Sequence, residues 1–279
     1  MESKKLRRTA LIAIMWLLIL AGLLVTATYA WFTFSPSTNV TPMSSTVSQG
    51  DTYLLIANNP GGEFARECTL VLDGEVDSLK PMSTADLSGF YVAKAQNRKG
   101  ISILFANATD RVNADTMHGK VYLKCEQGDC DVYFYRSGLS LGGDAQTLAA
   151  LRLGLKITTR NGMNTYIFRL DSMGDMTAVA ATQTVPTAGT VVASVSEDGS
   201  AVFGVDPAIE IGDYLSTEQS PDEKEPGAGK TALCSLQTGE VAMVEYWLYL
   251  EGCDENCIGE VQSKEIALQL AFAGVPVQE

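Results

Sequence analysis

The chain has 279 residues, with 20 basic and 33 acidic side chains, a formal net charge of −13 and a hydrophobic content of 46%. This length is enough for one large domain or two smaller ones whose core needs no external staples. The acidity repels phosphate backbones and anionic lipid headgroups, so nucleic acid is excluded from the expected partners.

The first 30 residues have the pattern of an export signal. Four cations within the first eight residues precede an uncharged apolar run at residues 11–25, and small residues follow. This order of segments is typical of a secretory signal, and we expect processing near Thr28 and Ala30. The alternative is a retained anchor, because the uncharged span 9–32 is long enough as a helix to cross a hydrocarbon core of roughly 30 Å.

Either outcome places the chain beyond about residue 31 outside the membrane, since the positive end stays inside. The export machinery and a signal peptidase are therefore expected partners, and the membrane is a partner if the apolar helix is uncleaved. Removal of residues 1–30 leaves 16 basic and 32 acidic side chains, because it takes away four cations and one anion. We expect an extracellular or cell-surface protein, either secreted or membrane-anchored.

Short β-type runs fill the exported part. Residues 31–50 carry no charge and are rich in Ser, Thr, Val and Pro, which predicts an extended segment, either a linker or a strand. The predicted domain, residues 51–279, begins with β-type runs at 52–57, 68–72, 101–106, 118–124 and 131–136, most of them closed by turn residues. We expect residues 80–99 to form a surface excursion.

Residues 151–157 alternate Leu or Ile with Arg, Gly and Lys, which favours a strand over the helix that the start of residues 147–159 also permits. The turn at residues 160–162, Arg-Asn-Gly, leads into residues 165–170 and predicts a hairpin. Further strands are predicted at 190–195, 201–205, 241–250 and 265–272, and a mobile acidic loop at 214–230. Many short strands between turns, with no convincing helix, indicate an all-β sandwich or barrel.

Six cysteines in a chain with an export signal predict disulfides. Cys125 and Cys130 flank an expected hairpin turn, and Cys253 and Cys257 are also close in sequence, so each local pair would fix a turn. Cys68 and Cys234 are left over and would form a long-range bridge if their geometry allows it. Sequence alone leaves many other connectivities open.

The sequence predicts no catalytic residue, cofactor or metal. Residues 226–231 end like a phosphate-binding loop, but Lys224 stands where that pattern needs glycine. His118 is the single histidine and has no recognisable nucleophile motif to serve. The acidic turn at residues 73–77 lacks the full calcium-loop pattern.

Two stretches resemble a known family. Residues 28–33, Thr-Tyr-Ala-Trp-Phe-Thr, resemble the processing region of camelysin and TasA-like proteins, which Gram-positive bacteria export through a dedicated signal peptidase. Residues 247–257, Trp-Leu-Tyr-Leu-Glu-Gly-Cys-Asp-Glu-Asn-Cys, resemble the Trp-Leu-Glu-Gly-x-Asp-x-x-Cys segment of clostridial relatives, with Tyr249 interrupting the usual adjacency. Residues 150–155 also resemble the central strand of these proteins.

The resemblance implies a jelly-roll-like antiparallel β-sandwich, preceded here by the apolar signal or anchor helix, and a role in the cell surface or biofilm matrix. We therefore expect a non-enzymatic structural protein and a homo-oligomer or filament, with residues 31–50 as the donor strand that covers a neighbour's sheet edge. Pairing of that segment within its own domain is the alternative. The alternative functions are a camelysin-like surface metallopeptidase, for which we find no matching ligand set, and a monomeric membrane-anchored adhesin or binding module.

Overall fold

Strands dominate the described chain, and helices are few. The structure, a computed structural model, describes residues 44–47, 54–76, 78–93, 104–136, 139–142, 145–170, 194–196, 202–203, 208–216, 229–254, 256–257 and 266–277. All of these residues belong to one compact unit, Ser37–Glu279, whereas the unit Met1–Pro36 lies outside the described residues.

The strands are β1 (Ser44–Val47), β2 (Leu54–Ala57), β3 (Glu67–Thr69), β4 (Pro81–Met82), β5 (Tyr91–Ala93), β6 (Leu104–Asn107), β7 (Met117–Cys125), β8 (Cys130–Phe134), β9 (Ser140–Gly142), β10 (Leu151–Thr159), β11 (Gly162–Arg169), β12 (Ser194–Ser196), β13 (Val202–Phe203), β14 (Ile209–Glu210), β15 (Cys234–Leu236), β16 (Val241–Glu251) and β17 (Ala267–Pro276). The helices are α1 (Val112–Asp115) and α2 (Ala145–Ala150), with 3₁₀ turns at Thr109–Arg111 and Ile211–Tyr214.

These strands form three mostly antiparallel sheets. The six-stranded sheet has the order β15-β8-β17-β1-β3, with β9 also on β17. The seven-stranded sheet has the order β14-β11-β10-β16-β7-β2, with β4 on β16, and a smaller sheet has the order β13-β12-β6-β5. The chain is therefore mainly β, as its strand and turn patterns predict.

Residue alternation places the two faces of β16 in different environments. Tyr246, Leu248 and Leu250 belong to a large buried cluster that also takes Phe134 and Phe272 from the six-stranded sheet. Each fully buried side chain of this size contributes roughly 1.5–3 kcal/mol relative to its exposure. This cluster, which both large sheets supply, is the main core.

A second cluster covers the opposite face of β16, and it corrects the predicted surface excursion at residues 80–99. Met82 and Phe90 pack with Trp247 and Tyr249 in this cluster, and Phe90 is 1% exposed. The Phe90 and Tyr249 rings meet edge to face, with centroids 5.8 Å apart. Residues 81–92 are therefore largely packed onto the sheet. Their apolar side chains follow no regular spacing, but Met82 and Phe90 both pack on the same apolar face of β16. Residues 94–99 lie outside the described chain.

Two local predictions are wrong, one about which strands pair and one about the residues that precede a strand. The segment from Cys125 to Cys130 is not a hairpin turn, because β7 lies in the seven-stranded sheet and β8 lies in the six-stranded sheet. The turn thus connects two sheets instead of two neighbouring strands. The residues before Leu151 form the short helix α2, which passes directly into β10, so helix and strand both exist at the position where we predicted only a strand.

The hairpin between β10 and β11 is confirmed, with Thr159 opposite Gly162 and Arg152 opposite Arg169. Strand β16 matches the predicted run 241–250 to within one residue, whereas β17 begins two residues later and ends four residues later than the predicted run 265–272. Most of the predicted acidic loop, residues 217–228, lies outside the described residues.

Candidate functional site

Strand β1 lies inside the six-stranded sheet, paired on both sides. It pairs in parallel with β17, from Ser44 opposite Gln269 to Val47 opposite Phe272. On its other side it pairs antiparallel with β3, where Ser45 lies opposite Cys68. A segment of only four residues therefore joins β3 to the rest of the six-stranded sheet.

The neighbours of β1 explain why this position needs a strand. The other edge of β17 is paired with β8 and β9, so β17 is a central strand only while β1 is present. Without β1, backbone N–H and C=O groups on one side of both β17 and β3 would lose their partners. We call the position between β17 and β3 the β1 groove. Pairing of this part of residues 31–50 within its own chain is the arrangement that the structure has.

A buried polar cluster lies where β16 ends. Arg152 on β10 donates from Nη2 to Asp254 Oδ2 over 2.7 Å, and neither side chain is exposed. Nη1 of the same guanidinium donates to the carbonyls of Ala149 and Leu151, each over 3.0 Å. The Arg152–Asp254 pair thus ties the end of α2 to the turn that follows β16.

Ser83 and Glu251 extend this cluster. The Ser83 hydroxyl hydrogen-bonds the Glu251 carboxylate and lies 3.3 Å from the Cys253 sulfur. The Cys253 N–H also donates to Glu251, over 3.0 Å. Glu251 and Cys253 lie in the segment at residues 247–257, one of the stretches on which the family resemblance rests, so buried polar contacts to Ser83 and Arg152 hold that segment.

Sequence reasoning missed both the Arg152–Asp254 pair and the Ser83–Glu251 contact. The available signal was an arginine inside the apolar run Leu-Arg-Leu-Gly-Leu, which requires a buried partner if the strand is central. Nothing in the sequence pairs it with Asp254, 102 residues away.

His118 lies in a mixed polar and aromatic setting on β7. Its Nδ1 is 2.6 Å from Asn113 Oδ1, and its Nε2 is 3.0 Å from Glu245 Oε1. Its ring stacks on Trp247 with centroids 4.8 Å apart, and Lys156 Nζ lies 5.4 Å from the Trp247 ring. The imidazole is 8% exposed, and its two ring nitrogens join Asn113 on α1 to Glu245 on β16.

All six cysteines are free thiols in the structure, and none lies at disulfide-bonding distance from another. Cys68 lies on β3 and Cys234 lies on β15, and these two strands are the outermost strands of the six-stranded sheet. Four strand spacings separate them, about 19 Å, whereas a disulfide needs Cα atoms closer than about 7 Å. The predicted bridge between Cys68 and Cys234 therefore does not fit this fold.

The two local cysteine pairs stay predictions. The Cys125 thiol donates to the Gly128 carbonyl over 3.0 Å, and the Cys253 sulfur lies 3.3 Å from the Ser83 hydroxyl. Burial raises the pKa of Cys257 to about 12 and that of Cys234 to about 12. As thiols, these groups therefore stay protonated at neutral pH.

The predicted processing residues Thr28 and Ala30 lie outside the described residues, as does the whole apolar N-terminal run. Among the helices that the structure describes, none is long and apolar enough to cross a membrane. Within the same part of the chain, no group of three or more His, Cys, Asp or Glu side chains is arranged to hold a metal ion.

Comparison with protein-family models, with curated proteins and with solved structures finds no match for this chain. The resemblance to camelysin and TasA-like proteins therefore stays a prediction.

Proposed function

We propose that this chain is an exported structural protein of the cell surface or extracellular matrix, and that its subunits join by exchanging strand β1. The observation that carries the proposal is the position of β1, which is paired on both sides inside a sheet. It belongs to an uncharged segment, residues 31–50, that directly follows the predicted export signal.

Exchange of β1 between copies costs little free energy. A strand from a neighbouring copy makes the same backbone hydrogen bonds in the β1 groove as the chain's own strand, which is the basis of domain swapping. The lack of charge in residues 31–50 leaves the segment free to pair with an exposed strand edge. Head-to-tail donation is heterologous, and a heterologous contact that does not close generates an open filament.

The proposal includes a jelly-roll-like sandwich as the body of each subunit. Its support is the main core, to which strands of the six-stranded and the seven-stranded sheets both contribute buried side chains. In such a body β17 and β3 are edge strands whenever the β1 groove is empty, and a donated strand covers both edges at once.

The test compares two deletions in the exported form. Removal of residues 31–50 takes away β1 and should abolish filaments in electron microscopy and sedimentation. Removal of residues 31–43 is the matched control, because it keeps β1 and should leave assembly intact. A peptide of residues 40–50 should bind the first deletion variant one to one and stabilise it without restoring filaments. Undiminished filaments after removal of residues 31–50 would rule out strand exchange.

A further inference from the structure

The segment that follows β3 attaches this strand to the seven-stranded sheet. Within the six-stranded sheet, β1 is the one described strand that pairs with β3. Just beyond the end of β3, Leu72 forms a bridge with Gly119 on β7, and the Asp73 N–H donates to the His118 carbonyl over 2.8 Å. The contacts at Leu72 and Asp73 therefore help to hold one wall of the β1 groove independently of β1.

The Asp73 side chain belongs to a cluster of two carboxylates and two basic side chains. We call it the His118 cluster, and its members are Asp73, His118, Lys120 and Glu245. His118 Nδ1 is 3.5 Å from Asp73 Oδ2, and His118 Nε2 is 3.0 Å from Glu245 Oε1. Lys120 Nζ is 3.6 Å from the same Asp73 oxygen and 3.5 Å from the same Glu245 oxygen. Each carboxylate thus faces both basic side chains.

The hydrogen-bond geometry of the cluster fits a protonated His118. A neutral imidazole has one N–H, whereas both ring nitrogens of His118 face oxygen atoms. Nδ1 lies 2.6 Å from Asn113 Oδ1 on α1 and also faces Asp73, while Nε2 faces Glu245. Only the imidazolium donates on both sides. With it the cluster has two cations and two anions, and with a neutral imidazole the cluster has an excess negative charge.

Lys120 keeps its charge while His118 titrates. Burial alone would lower the pKa of the Lys120 ammonium, but the Glu245 and Asp73 carboxylates outweigh burial and raise that pKa above its usual value. The charge of the cluster in the neutral pH range therefore depends on His118, because carboxylates are ordinarily ionised there.

The other elements packed around the imidazole bring no charge that replaces its proton. Trp247 on β16 stacks on it with centroids 4.8 Å apart. On β10, Lys156 lies over the Trp247 ring, 5.4 Å from its centroid. Asp115, the acidic residue of α1, forms ion pairs with Lys80 and Arg111. Loss of the His118 proton therefore acts directly on the two carboxylates of the cluster.

We propose that the His118 cluster is a pH-sensitive latch that holds the segment after β3 against the seven-stranded sheet. Histidine is the side chain that ordinarily changes its charge between pH 5 and 8. At the acid end of this range the imidazolium binds both carboxylates and the latch is closed. At the alkaline end the neutral imidazole donates to one side only, so residues 72–73 open more often. Contacts that favour the charged form stabilise the fold at acid pH, and this stabilisation is lost as the pH rises.

The latch does not depend on strand exchange, because all of its contacts lie within one subunit. If subunits exchange β1, a step that rests on the proposed function, the closed latch keeps the β3 wall of the β1 groove in place while the groove is empty. Acid pH then favours a subunit that is ready to accept a strand. Failure of strand exchange would leave the latch itself unaffected.

The test is backbone hydrogen exchange on the full-length chain, purified in mild detergent, at pH 5.5 and at pH 8. Each rate is divided by that of an unstructured peptide at the same pH, because intrinsic exchange also depends on pH. Protection at residues 70–73 should be about threefold to fivefold higher at pH 5.5, the upper range for a partly exposed ion pair. Equal protection at both pH values would overturn the proposal.

Side-chain variants assign the pH dependence to the cluster. His118→Gln keeps a neutral polar side chain and should show the lower protection at both pH values. Asp73→Asn should lose most of the pH dependence, and it decides the test if His118→Gln does not fold, because the Asp73 side chain is 34% exposed and tolerates replacement. Glu210→Gln is the matched control, since Glu210 pairs with Arg169 instead of a histidine, and it should keep the pH dependence. An undiminished dependence in His118→Gln or Asp73→Asn would refute the latch.

Discussion

Replacement of Asp254 by alanine removes the partner of a fully buried arginine. The Arg152 and Asp254 side chains are both 0% exposed, and their charged atoms are 2.7 Å apart. Loss of one partner from such a pair leaves an uncompensated charge in the interior and typically costs about 3–5 kcal/mol. We expect Asp254→Ala to lower the free energy of unfolding by that amount.

The adjacent strand supplies a matched control. Arg169 lies opposite Arg152 in the β10–β11 pairing, and its ion pair with Glu210 is partly exposed, with 31% and 46% of the two side chains accessible. An exposed pair contributes about 0–1 kcal/mol. Glu210→Ala should therefore have a small effect on stability.

The assay is urea denaturation of the full-length chain and its variants at pH 7, in mild detergent and followed by tryptophan fluorescence. The double variant Arg152→Met with Asp254→Leu should lose less stability than Asp254→Ala, because neither member of the pair is left buried without the other. A cost of Asp254→Ala no larger than that of Glu210→Ala would contradict a buried ion pair of this strength. A double variant less stable than the single one would contradict it too, since the loss would then come from packing.

The remaining predictions concern packing and pH. Gly119→Ala should destabilise the fold by about 1–3 kcal/mol in the same urea assay, because the added Cβ would lie 2.4 Å from the Val71 carbonyl oxygen, whereas Gly212→Ala meets no atom within 4 Å and should be nearly neutral. Burial raises the pKa of Cys257 from 9.0 to about 12, so the folded, reduced chain keeps a proton that the unfolded chain loses. This contribution to stability is complete below pH 9 and is lost as the pH rises towards 12; a urea midpoint that stays constant from pH 8 to pH 10.5 under reducing conditions would contradict it.

Strand positions were predictable where alternation and turn chemistry agree. Residues 151–157 alternate strictly, and the Arg-Asn-Gly turn after them fixes the β10–β11 hairpin, which the structure has. Pairing over longer distances was not predictable, because the period of two is the same for any neighbour. The Cys125–Cys130 turn shows this limit, since strands separated by four residues lie in different sheets.

Buried polar contacts were the least predictable part of the candidate site. A charge in an apolar run indicates that a buried partner exists, but the sequence does not indicate which carboxylate that partner is. Arg152 finds Asp254 because β10 and β16 are neighbours over eight residue pairs, and that neighbour relation is a property of the whole sheet. The same holds for Ser83 and Glu251, which β4 and β16 bring together.

For strand β1 the sequence predicts the local structure but not the pairing partner. Its uncharged, β-prone composition predicted a strand, but composition carries no information on whether the partner strands belong to the same chain. The structure places it between β17 and β3 of its own chain, and the backbone hydrogen bonds that hold it there are available without change to a strand of a second copy. Self-pairing and donation therefore differ in connectivity and concentration, not in local contacts. The measurement that distinguishes self-pairing from donation is therefore the dependence of assembly on residues 44–47, because the structure of one subunit has the same local contacts in both cases.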